Sequence, residues 1–338
     1  MDKFYIKYGR ATDAVDKQDY RLYRLFEILP GFLAWSTFFL IIFFSYFAPL
    51  GASLFIITFD TYWLLKTVFL STYLRSSYKK MRLNLKKDWL KILKESEAAN
   101  RELNINNWSE IYHLIILPFY KEPYQVVRET VTSIIDSNYP KDKILIVLAV
   151  EERAGSGALE IAGQLKEQLG RNFFKFIISL HPANLPQEMP GKGANETWAA
   201  KFAKEKIIDN EKIPYQNIII SSLDIDTRVY PDYFAMVSYN YLMSSKPLRS
   251  SFQPIPIYNN NIWDAPFFSR VVASSGTFWQ MMQQARPERL ATFSSHSMPF
   301  KSLVEMNYWH TNIVSEDSRI FWQSLLFYDG DWRTIPLY

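Results

Sequence analysis

The residues best suited to chemistry are two aspartates, Asp224 and Asp226, which directly follow an apolar run at 218–223. Such a run predicts a buried strand. Two carboxylates at i and i+2, where a strand ends, can offer oxygen ligands to Mg²⁺ or Mn²⁺, and that ion can also hold phosphate groups. The alternative for an isolated D-x-D pattern is a solvated turn with a helix N-cap. The pattern therefore suggests a metal site at Asp224 and Asp226.

A lysine flanked by glycines precedes this pair. Gly191, Lys192 and Gly193 stand before a helical pattern, and Lys192 lies 32 positions ahead of Asp224. Glycines let the backbone approach a ligand closely, and a lysine ammonium pairs with phosphate. A plain flexible loop that ends in a helix cap would have the same composition. The functional interpretation is that Lys192 contacts phosphate.

Two further acids, Glu316 and Asp317, open an amphipathic stretch near the end of the chain. Acids in the first turn of a helix often do no more than complement the helix dipole. A carboxylate is also the group that a sugar hydroxyl needs as a general base. Both interpretations are open on these residues alone.

Strand and helix patterns alternate from about residue 110 onward, which indicates an α/β domain with a parallel sheet covered by helices on both faces. In such sheets, ligands bind at the carboxyl ends of the strands. The predicted strands are 111–119, 144–150, 173–180 and 218–223, and the predicted helices are 124–137, 158–170 and 194–208.

The N-terminal region is apolar enough for a membrane. No charged residue occurs among the 32 residues at 28–59, and only Asp60 and Lys66 are added up to residue 74. A single helix through those 32 residues would be roughly 48 Å long, against a hydrocarbon core of about 30 Å. Pro49, Leu50 and Gly51 stand where a turn is needed, so we expect a hairpin of two transmembrane helices at about 29–48 and 51–74 within a segment at 28–74. The run is too long and too late for a cleaved signal peptide, so the anchor should be retained.

Charge distribution predicts the orientation of this hairpin. Eight basic residues and one acid lie between 75 and 94, and Arg21 and Arg24 flank the other end. The positive-inside rule therefore places the segment 1–27, the basic linker 75–109 and the α/β domain that follows it in the cytoplasm. Within the linker, apolar residues recur at helical spacing, which fits either a helix on the lipid headgroups or a solvated linker helix. They are Met81, Leu85, Trp89 and Ile92.

Composition excludes several classes of protein. The 338 residues contain no cysteine, so disulfide scaffolds, thiolate catalysis, iron–sulfur clusters and cysteine-ligated zinc are ruled out. The four histidines have no metal-ligand spacing. A net charge of only +4 does not imply nucleic acid, and we expect no nucleic-acid partner.

The order of four segments resembles the membrane-bound glycosyltransferase family 2, including its cellulose-synthase-like members. The family shows P-x-x-x-E, G-K-x-x-(A/N), D-x-D and (T/S)-E-D in this order, and the resemblance covers about residues 110–338. The segments here are LPFYKEP at 117–123, GKGAN at 191–195, DID at 224–226 and SED at 315–317. Phe252, Gln253 and Pro254, with the asparagines at 259–261, are similar to the segment that follows D-x-D in cellulose-synthase-like members. The resemblance implies a GT-A fold, the Rossmann-like fold of nucleotide-diphospho-sugar transferases, over 110–338.

The resemblance also implies a role for each matching residue. Asp224 and Asp226 would hold Mg²⁺ or Mn²⁺ on the diphosphate of a sugar nucleotide, and Lys192 would contact the same donor. The residues implied to contact its nucleoside are Glu122 and one of Glu151 and Glu152, between which the sequence does not choose. Asp317, in the motif with Glu316, would deprotonate the acceptor hydroxyl, so that transfer inverts the anomeric carbon.

The chain also departs from the family pattern. Processive members carry Q-x-x-R-W and further transmembrane helices after the catalytic domain, but this sequence ends at Tyr338, 21 residues beyond Asp317. We therefore expect a catalytic domain truncated at its C-terminus, and the resemblance does not extend to polymer synthesis.

Aromatic and methionine residues are concentrated at 253–314. They could stack on sugars, face the bilayer where a lipid-linked acceptor arrives, or pack in the core. They include Trp263, Phe267, Phe268, Phe278, Trp279, Tyr308 and Trp309, with Met281, Met282 and Met298 close to them.

The sequence thus predicts an integral membrane, metal-dependent, inverting glycosyltransferase whose donor is a nucleotide-diphospho-sugar and whose acceptor is a lipid, glycan or polysaccharide. One alternative is a nucleotidyltransferase, although that class usually has a glycine-rich loop after the first strand, where this chain has Pro118 to Glu122. The other is a non-catalytic membrane scaffold with a degenerate transferase domain.

Overall fold

The computed structural model describes residues 8–96, 100, 103–260 and 262–338. Residues 1–7, 97–99, 101–102 and Asn261, which belong to the predicted N-terminal segment, linker and asparagine cluster, lie outside the described residues. Within the described ranges the ten α-helices are α1 (Lys17–Phe47), α2 (Pro49–Asn84), α3 (Trp89–Glu95), α4 (Tyr124–Ile135), α5 (Ser156–Leu169), α6 (Lys192–Ala203), α7 (Tyr233–Met243), α8 (Phe267–Gln284), α9 (Phe300–Glu305) and α10 (Glu316–Phe327). The seven strands described there are β1 (Tyr112–Phe119), β2 (Ile144–Glu151), β3 (Lys175–His181), β4 (Ile218–Ser222), β5 (Ser250–Pro254), β6 (His296–Pro299) and β7 (Arg333–Leu337).

The strands form one sheet in the order β3-β2-β1-β4-β6-β5-β7. The four strands expected from the sequence pair in parallel, with β1 between β2 and β4 and with β3 next to β2. The expected parallel sheet therefore holds for these four strands, but the whole sheet is mixed, because β6 runs antiparallel to both β4 and β5. The strands β5, β6 and β7 are only four or five residues long and each contains a proline, so they lack the continuous apolar pattern that identified the first four.

Helices cover both faces of the sheet, as expected. Alternate residues of β1 point to opposite sides, so Ile115 and Leu117 belong to one buried cluster while Leu114 and Ile116 belong to the other. The helices α4, α5 and α7 contribute to the first cluster. The helices α6, α9 and α10 contribute to the second. The result is a mixed α/β domain with a core layer on each side of the sheet.

Two long helices precede this domain, and both are long and apolar enough to cross a membrane by length and composition. The predicted spans lie inside them, but the expected turn at Pro49, Leu50 and Gly51 is wrong. Only Ala48 separates the helices, and Pro49 begins α2. Proline suits the first position of a helix because its fixed φ is helical and its missing N–H would have no partner there.

Both ends of this helix pair contact the α/β domain. Ahead of α1, Asp13 accepts a hydrogen bond from Asn312 Nδ2 at 2.6 Å, and the carbonyl of Tyr8 accepts one from Arg319 at 3.1 Å. Near the end of α2, Lys80 Nζ donates to the Tyr338 hydroxyl at 3.3 Å. The chain therefore leaves the domain through α1 and returns to it through α2.

The basic segment after residue 75 continues α2 and then forms α3. Met81 and Trp89 are buried, Trp89 packs against the ring of Tyr239, and Ile92 packs on the domain core. Of the four apolar residues that suggested a helix on lipid headgroups, only Leu85 is exposed. The other three contact the protein, which corrects the headgroup interpretation for them.

Candidate functional site

A cavity of about 540 Å³ lies at the carboxyl ends of β1, β2 and β4, beside the start of α6. It brings together five of the predicted residues: Glu122, Glu151, Lys192, Asp224 and Asp226. The three strands are parallel neighbours, so their carboxyl ends share one edge of the sheet, where ligands bind in such folds.

Asp224 is held by a cation and a hydroxyl. Lys192 Nζ donates to its Oδ1 at 2.6 Å, and the Ser294 hydroxyl donates to its Oδ2. Burial by itself would raise the pKa of the Asp224 carboxyl, but the charge and hydrogen bond of Lys192, with that of Ser294, lower the pKa below its usual value. Asp224 is therefore a carboxylate at neutral pH.

Lys192 is surrounded by carboxyl groups. Besides Asp224, its Nζ lies 3.7 Å from Glu196 and 3.8 Å from Glu316. Burial would lower the pKa of Lys192, but these three acids raise it above the ordinary value. The ammonium charge is therefore a fixed feature of the cavity wall.

Glu196 and Glu316 are buried beside Lys192. The Ser222 hydroxyl donates to Glu196 Oε1. Burial raises the pKa of both carboxyls, against the opposing influence of Lys192. Glu316 is only 4% exposed, so its position suits support of Lys192 rather than contact with an acceptor.

The glycines and the asparagine of the predicted loop have specific structural uses. A Cβ on Gly193 would lie 2.8 Å from the Cβ of Glu316 and 2.8 Å from the His310 carbonyl, so only glycine fits where α6 meets the start of α10. Asn195 is buried and donates to the carbonyl of Ala149 in β2 at 2.6 Å. These contacts attach Lys192 to both the sheet and the loop before α10.

Asp226 has a different environment from Asp224. Burial, followed by the negative charge of Asp224, raises the pKa of its carboxyl. A divalent cation would relieve this unfavourable charge, and carboxylate oxygens are the donors that Mg²⁺ and Mn²⁺ prefer. Among the described residues, no group of three or more His, Asp or Glu side chains could hold a metal by itself. Asp224 and Asp226 therefore fit an ion that takes its remaining ligands from bound phosphate or water.

Ser294 connects Asp224 to Asp317. Its hydroxyl donates to Asp224, while its backbone N–H donates to Asp317 Oδ2 at 2.8 Å. Its φ of 49° lies in the left-handed region, which is strained for a residue other than glycine. The other oxygen of Asp317 accepts from the N–H of Ser318 at 2.7 Å, so the carboxylate is oriented on both sides.

Gln253, from the predicted Phe-Gln-Pro segment, holds the loop that carries Ser294. Its amide nitrogen donates to the carbonyls of Phe293 at 3.0 Å and Ser295 at 3.3 Å, and its oxygen accepts from the N–H of Phe293 at 2.8 Å. The side chain is fully buried. Gln253 therefore fixes the backbone that positions both Asp224 and Asp317.

A second cavity of about 560 Å³ meets the first at Asp224 and Asp226. Ser294 and Tyr258 also line it. Burial raises the pKa of Tyr258, and the charges of Asp224, Asp226 and Asp317 raise it further. The two aspartates of the D-x-D pattern thus separate two spaces, one beside Lys192 and Glu151 and the other beside Tyr258.

The structure distinguishes between Glu151 and Glu152. Glu151 lines the first cavity and pairs with Arg153, whose guanidinium lies over the ring of Tyr120. Glu152 instead accepts a hydrogen bond from the N–H of Ala183 at 2.8 Å. Glu152 is not among the residues that line the first cavity, so Glu151 is the candidate that we keep for contact with a nucleoside. Glu122 also lines the cavity, and one of its oxygens accepts from the N–H of Tyr120 at 2.9 Å.

Sequence reasoning missed Glu196, Ser294 and Tyr258. Glu196 follows Lys192 by four positions on α6, and that spacing places both on one face of a helix. Nothing in the local sequence indicated Ser294 or Tyr258, because long-range folding brings them to the aspartates.

The aromatic and methionine residues of the segment 253–314 are partly buried and partly exposed. The buried ones are Tyr308, Trp309, Met281 and Met298, and the exposed ones are Trp263, Phe267, Phe268, Phe278 and Trp279.

Neither the protein-family models nor the curated proteins include a match to this chain. Among solved structures, it is similar to the mannosyltransferase PcManGT from Pyrobaculum calidifontis in complex with GDP-Man and Mn²⁺, at 16% identity over 81% of this chain and 65% of that one, with a TM-score of 0.43. It is also similar to residues 1–349 of TarS from S. aureus, at 12% identity over 67% of this chain and 58% of that one, with a TM-score of 0.40. A complex of that TarS fragment with UDP-GlcNAc gives 12% identity, 67% and 56% coverage, and a TM-score of 0.40. The chain spans less than two thirds of the length of each neighbour.

Proposed function

We propose that this chain is a membrane-anchored, inverting glycosyltransferase with a GT-A catalytic domain of the family 2 type. Its donor is a nucleotide-diphospho-sugar, and its acceptor is a hydroxyl group of a lipid, glycan or polysaccharide. One observation carries the proposal: Ser294 joins the carboxylate of Asp224, at the end of a central strand, to the carboxylate of Asp317. A donor-binding acid and a candidate base are thereby held by one residue.

The first cavity is suited to the donor. Lys192 supplies a permanent positive charge for phosphate oxygens, and Glu122 and Glu151 supply acceptors for hydroxyl and N–H groups of a nucleoside. These groups all line the same cavity. We place the acceptor in the second cavity, beyond Asp224 and Asp226, on the side of Ser294, which lines this cavity and whose N–H binds Asp317.

The transfer is a single displacement. Asp317 takes the proton of the acceptor hydroxyl, whose oxygen forms a bond to the anomeric carbon. The bond from that carbon to the diphosphate breaks, and its electron pair leaves with the nucleoside diphosphate. Attack opposite the leaving group inverts the anomeric configuration.

Asp224 and Asp226 would hold Mg²⁺ or Mn²⁺, and such an ion supplies positive charge that stabilises a departing diphosphate. The pKa of Asp226 is raised, so this carboxyl must lose its proton before it can bind a cation. Metal-dependent donor binding should therefore weaken as pH falls through the pKa of Asp226.

Membrane anchoring is proposed from α1 and α2. The most apolar windows of both helices are completely unburied within the protein, so they need an apolar environment. The basic residues at 75–94 favour a cytoplasmic catalytic domain. We propose that the two helices form a transmembrane hairpin in the plasma or inner membrane.

The test of the donor site is binding of UDP and of GDP to the detergent-solubilised chain, each with and without Mn²⁺. We expect metal-dependent binding of one of them, and we expect Asp226→Asn to remove the metal dependence. Asp136→Asn, on the exposed end of α4, is the matched control. A folded sample that binds neither nucleotide would contradict the donor site.

Topology has a separate test. Tags at residue 1 and after residue 95 should both be protected from an external protease in intact cells. Cleavage of either tag would contradict the hairpin.

A further inference from the structure

A cleft of about 680 Å³ lies between α2 and α8, away from the two cavities described above. On the α2 side it is lined by Tyr62, Lys66 and Tyr73, and on the α8 side by Trp279 and Arg286, with Arg289 following the helix. We infer that this cleft binds the phosphate headgroup of an anionic membrane lipid. The inference rests on the membrane anchoring proposed above.

The charge of the cleft favours an anion. Lys66, Arg286 and Arg289 line it, and no acidic residue is among its described lining residues. Arg286 has one acidic neighbour, Glu288, at 3.4 Å, but the Glu288 side chain is 64% exposed. A pair in that setting is screened by water and leaves most of the positive charge unbalanced.

The depth of the cleft matches the headgroup region. Lys66 follows Pro49 by 17 residues (66 − 49) on a continuous helix, a rise of about 26 Å. With the Ala48–Pro49 turn at the far surface, Lys66 lies close to the near edge of a hydrocarbon core of about 30 Å. Lysine and arginine at that level contact lipid phosphates, and basic pockets between membrane helices bind anionic headgroups.

Aromatic residues around the cleft also indicate that it lies at the level of the lipid headgroups. The Lys66 ammonium lies 4.4 Å from the ring centroid of Trp63, and the Arg286 guanidinium lies 5.8 Å from that of Tyr73. Tryptophan and tyrosine are enriched where a bilayer meets water. The cleft thus combines interfacial rings with cations.

The exposed face of α8 continues this surface. Its large exposed side chains recur at i, i+1, i+4, i+5, i+11 and i+12, which places them on one stripe of the helix. They are Phe267, Phe268, Val271, Val272, Phe278 and Trp279. Since α8 packs against α2, this stripe can enter the bilayer beside the cleft, with lipid tails below the headgroup.

The test is native mass spectrometry of the full chain in neutral detergent, titrated with phosphatidylglycerol or phosphatidylcholine. We expect one phosphatidylglycerol to bind with an apparent affinity at least about tenfold higher than that of phosphatidylcholine. The triple variant Lys66→Gln, Arg286→Gln and Arg289→Gln should lose this preference. Arg289→Gln alone, at an exposed position, should weaken it several-fold without risk to the fold.

The matched control removes one lysine and two arginines elsewhere. Arg128→Gln, Lys166→Gln and Arg171→Gln change exposed residues of the α/β domain and should keep the preference for phosphatidylglycerol. Retention of the preference by the triple cleft variant, or its absence from the wild type, would overturn the inference. If inorganic phosphate displaces the lipid equally well, the cleft is a general phosphate site. If a dimer is observed and is lost only in the triple cleft variant, the occupant of the cleft is a second copy of the chain. Either result also overturns the inference.

Nucleotide binding in the same samples separates this inference from the proposed function. If the chain binds nucleotide but shows no preference for phosphatidylglycerol, only the inference about the cleft is wrong. If it prefers phosphatidylglycerol but binds no nucleotide, only the proposed donor site is wrong. Release of the wild-type chain from membranes by an alkaline wash without detergent would remove the anchoring on which the inference rests.

Discussion

Lys192 and Asp224 are 32 residues apart in the chain, yet Lys192 Nζ lies 2.6 Å from Asp224 Oδ1. Asn195 attaches the start of α6 to β2, and Asp224 follows β4, so the two strands that flank β1 determine this distance. The same ammonium lies near Glu196 and Glu316. One lysine therefore compensates three acids, and its removal should affect stability as well as donor binding.

Lys192→Gln should destabilise the fold by about 3 kcal/mol near neutral pH, because it leaves Asp224 and two buried glutamic acids without their cation. Lys192 lowers the pKa of Asp224, so the stability from this pair is present above the unfolded pKa of an aspartate and is lost as pH falls through the lower folded value. That contribution is complete at both pH 5 and pH 8, so a difference between these two conditions must come from Glu196. Burial raises the pKa of Glu196 and the charge of Lys192 opposes this rise, so without Lys192 ionisation of Glu196 costs more at pH 8, whereas at pH 5 the group is protonated and neutral. The difference in thermal midpoint between wild type and variant should therefore be larger at pH 8 than at pH 5. The exposed Lys166→Gln is the control, and a pH-independent difference for Lys192→Gln would contradict the expected charge compensation.

Asp317→Asn should abolish sugar transfer and leave the affinity for the donor nucleotide unchanged. An amide cannot accept the proton of the acceptor hydroxyl, and loss of a general base costs about 10²- to 10⁴-fold in rate. Nucleotide affinity with Mn²⁺ should stay within about twofold of the wild type, because Asp317 is connected to Asp224 indirectly, through Ser294. Measurement of both quantities on one preparation checks the assignment, with Asp136→Asn as control. Full transferase activity in Asp317→Asn would show that another group is the base.

Much of the fold could be predicted because its first half is locally regular. The continuous apolar runs of β1, β2 and β4 identify strands, and D-x-D after β4 indicates the edge of the sheet at which the candidate site lies. The strands β5 to β7 could not be predicted, because each is a short segment that contains a proline and is stabilised by pairing with its neighbours rather than by a local apolar pattern.

The site could be predicted where chemistry and local spacing coincide, as at Lys192 and Asp224. It could not be predicted where tertiary contacts decide. The sequence does not reveal that Gln253 hydrogen-bonds the backbone of the loop that carries Ser294. Nor does it reveal that Glu151 rather than Glu152 lines the cavity. Adjacent residues at the end of a strand point in opposite directions, and which of them faces a ligand depends on the register of the whole sheet.

Gly193→Ala should destabilise the protein although alanine favours helices. The new Cβ would lie 2.8 Å from both the Glu316 Cβ and the His310 carbonyl, and overpacking of this kind costs about 1–3 kcal/mol. Gly163→Ala, in α5, places its Cβ where nothing lies within 4 Å and should stabilise by about 0.5–1 kcal/mol. Thermal unfolding of the two variants gives shifts of opposite sign. A stabilising Gly193→Ala would contradict the close approach of α6 to the start of α10.

Replacement of Ser294 separates its hydroxyl from its backbone conformation. Ser294→Ala and Ser294→Gly both remove the donor to Asp224 and both keep the N–H that binds Asp317. Each should weaken metal-dependent nucleotide binding, by on the order of tenfold, since a hydrogen bond to a charged group contributes about 1.5–3 kcal/mol. The two variants should differ in stability, because alanine keeps the strain of a φ of 49°, whereas glycine relieves about 1 kcal/mol of it. We therefore expect equal nucleotide affinities and a higher thermal midpoint for Ser294→Gly. Wild-type affinity in both variants would mean that the hydroxyl does not position Asp224. Equal midpoints would mean that the loop relaxes out of the left-handed conformation.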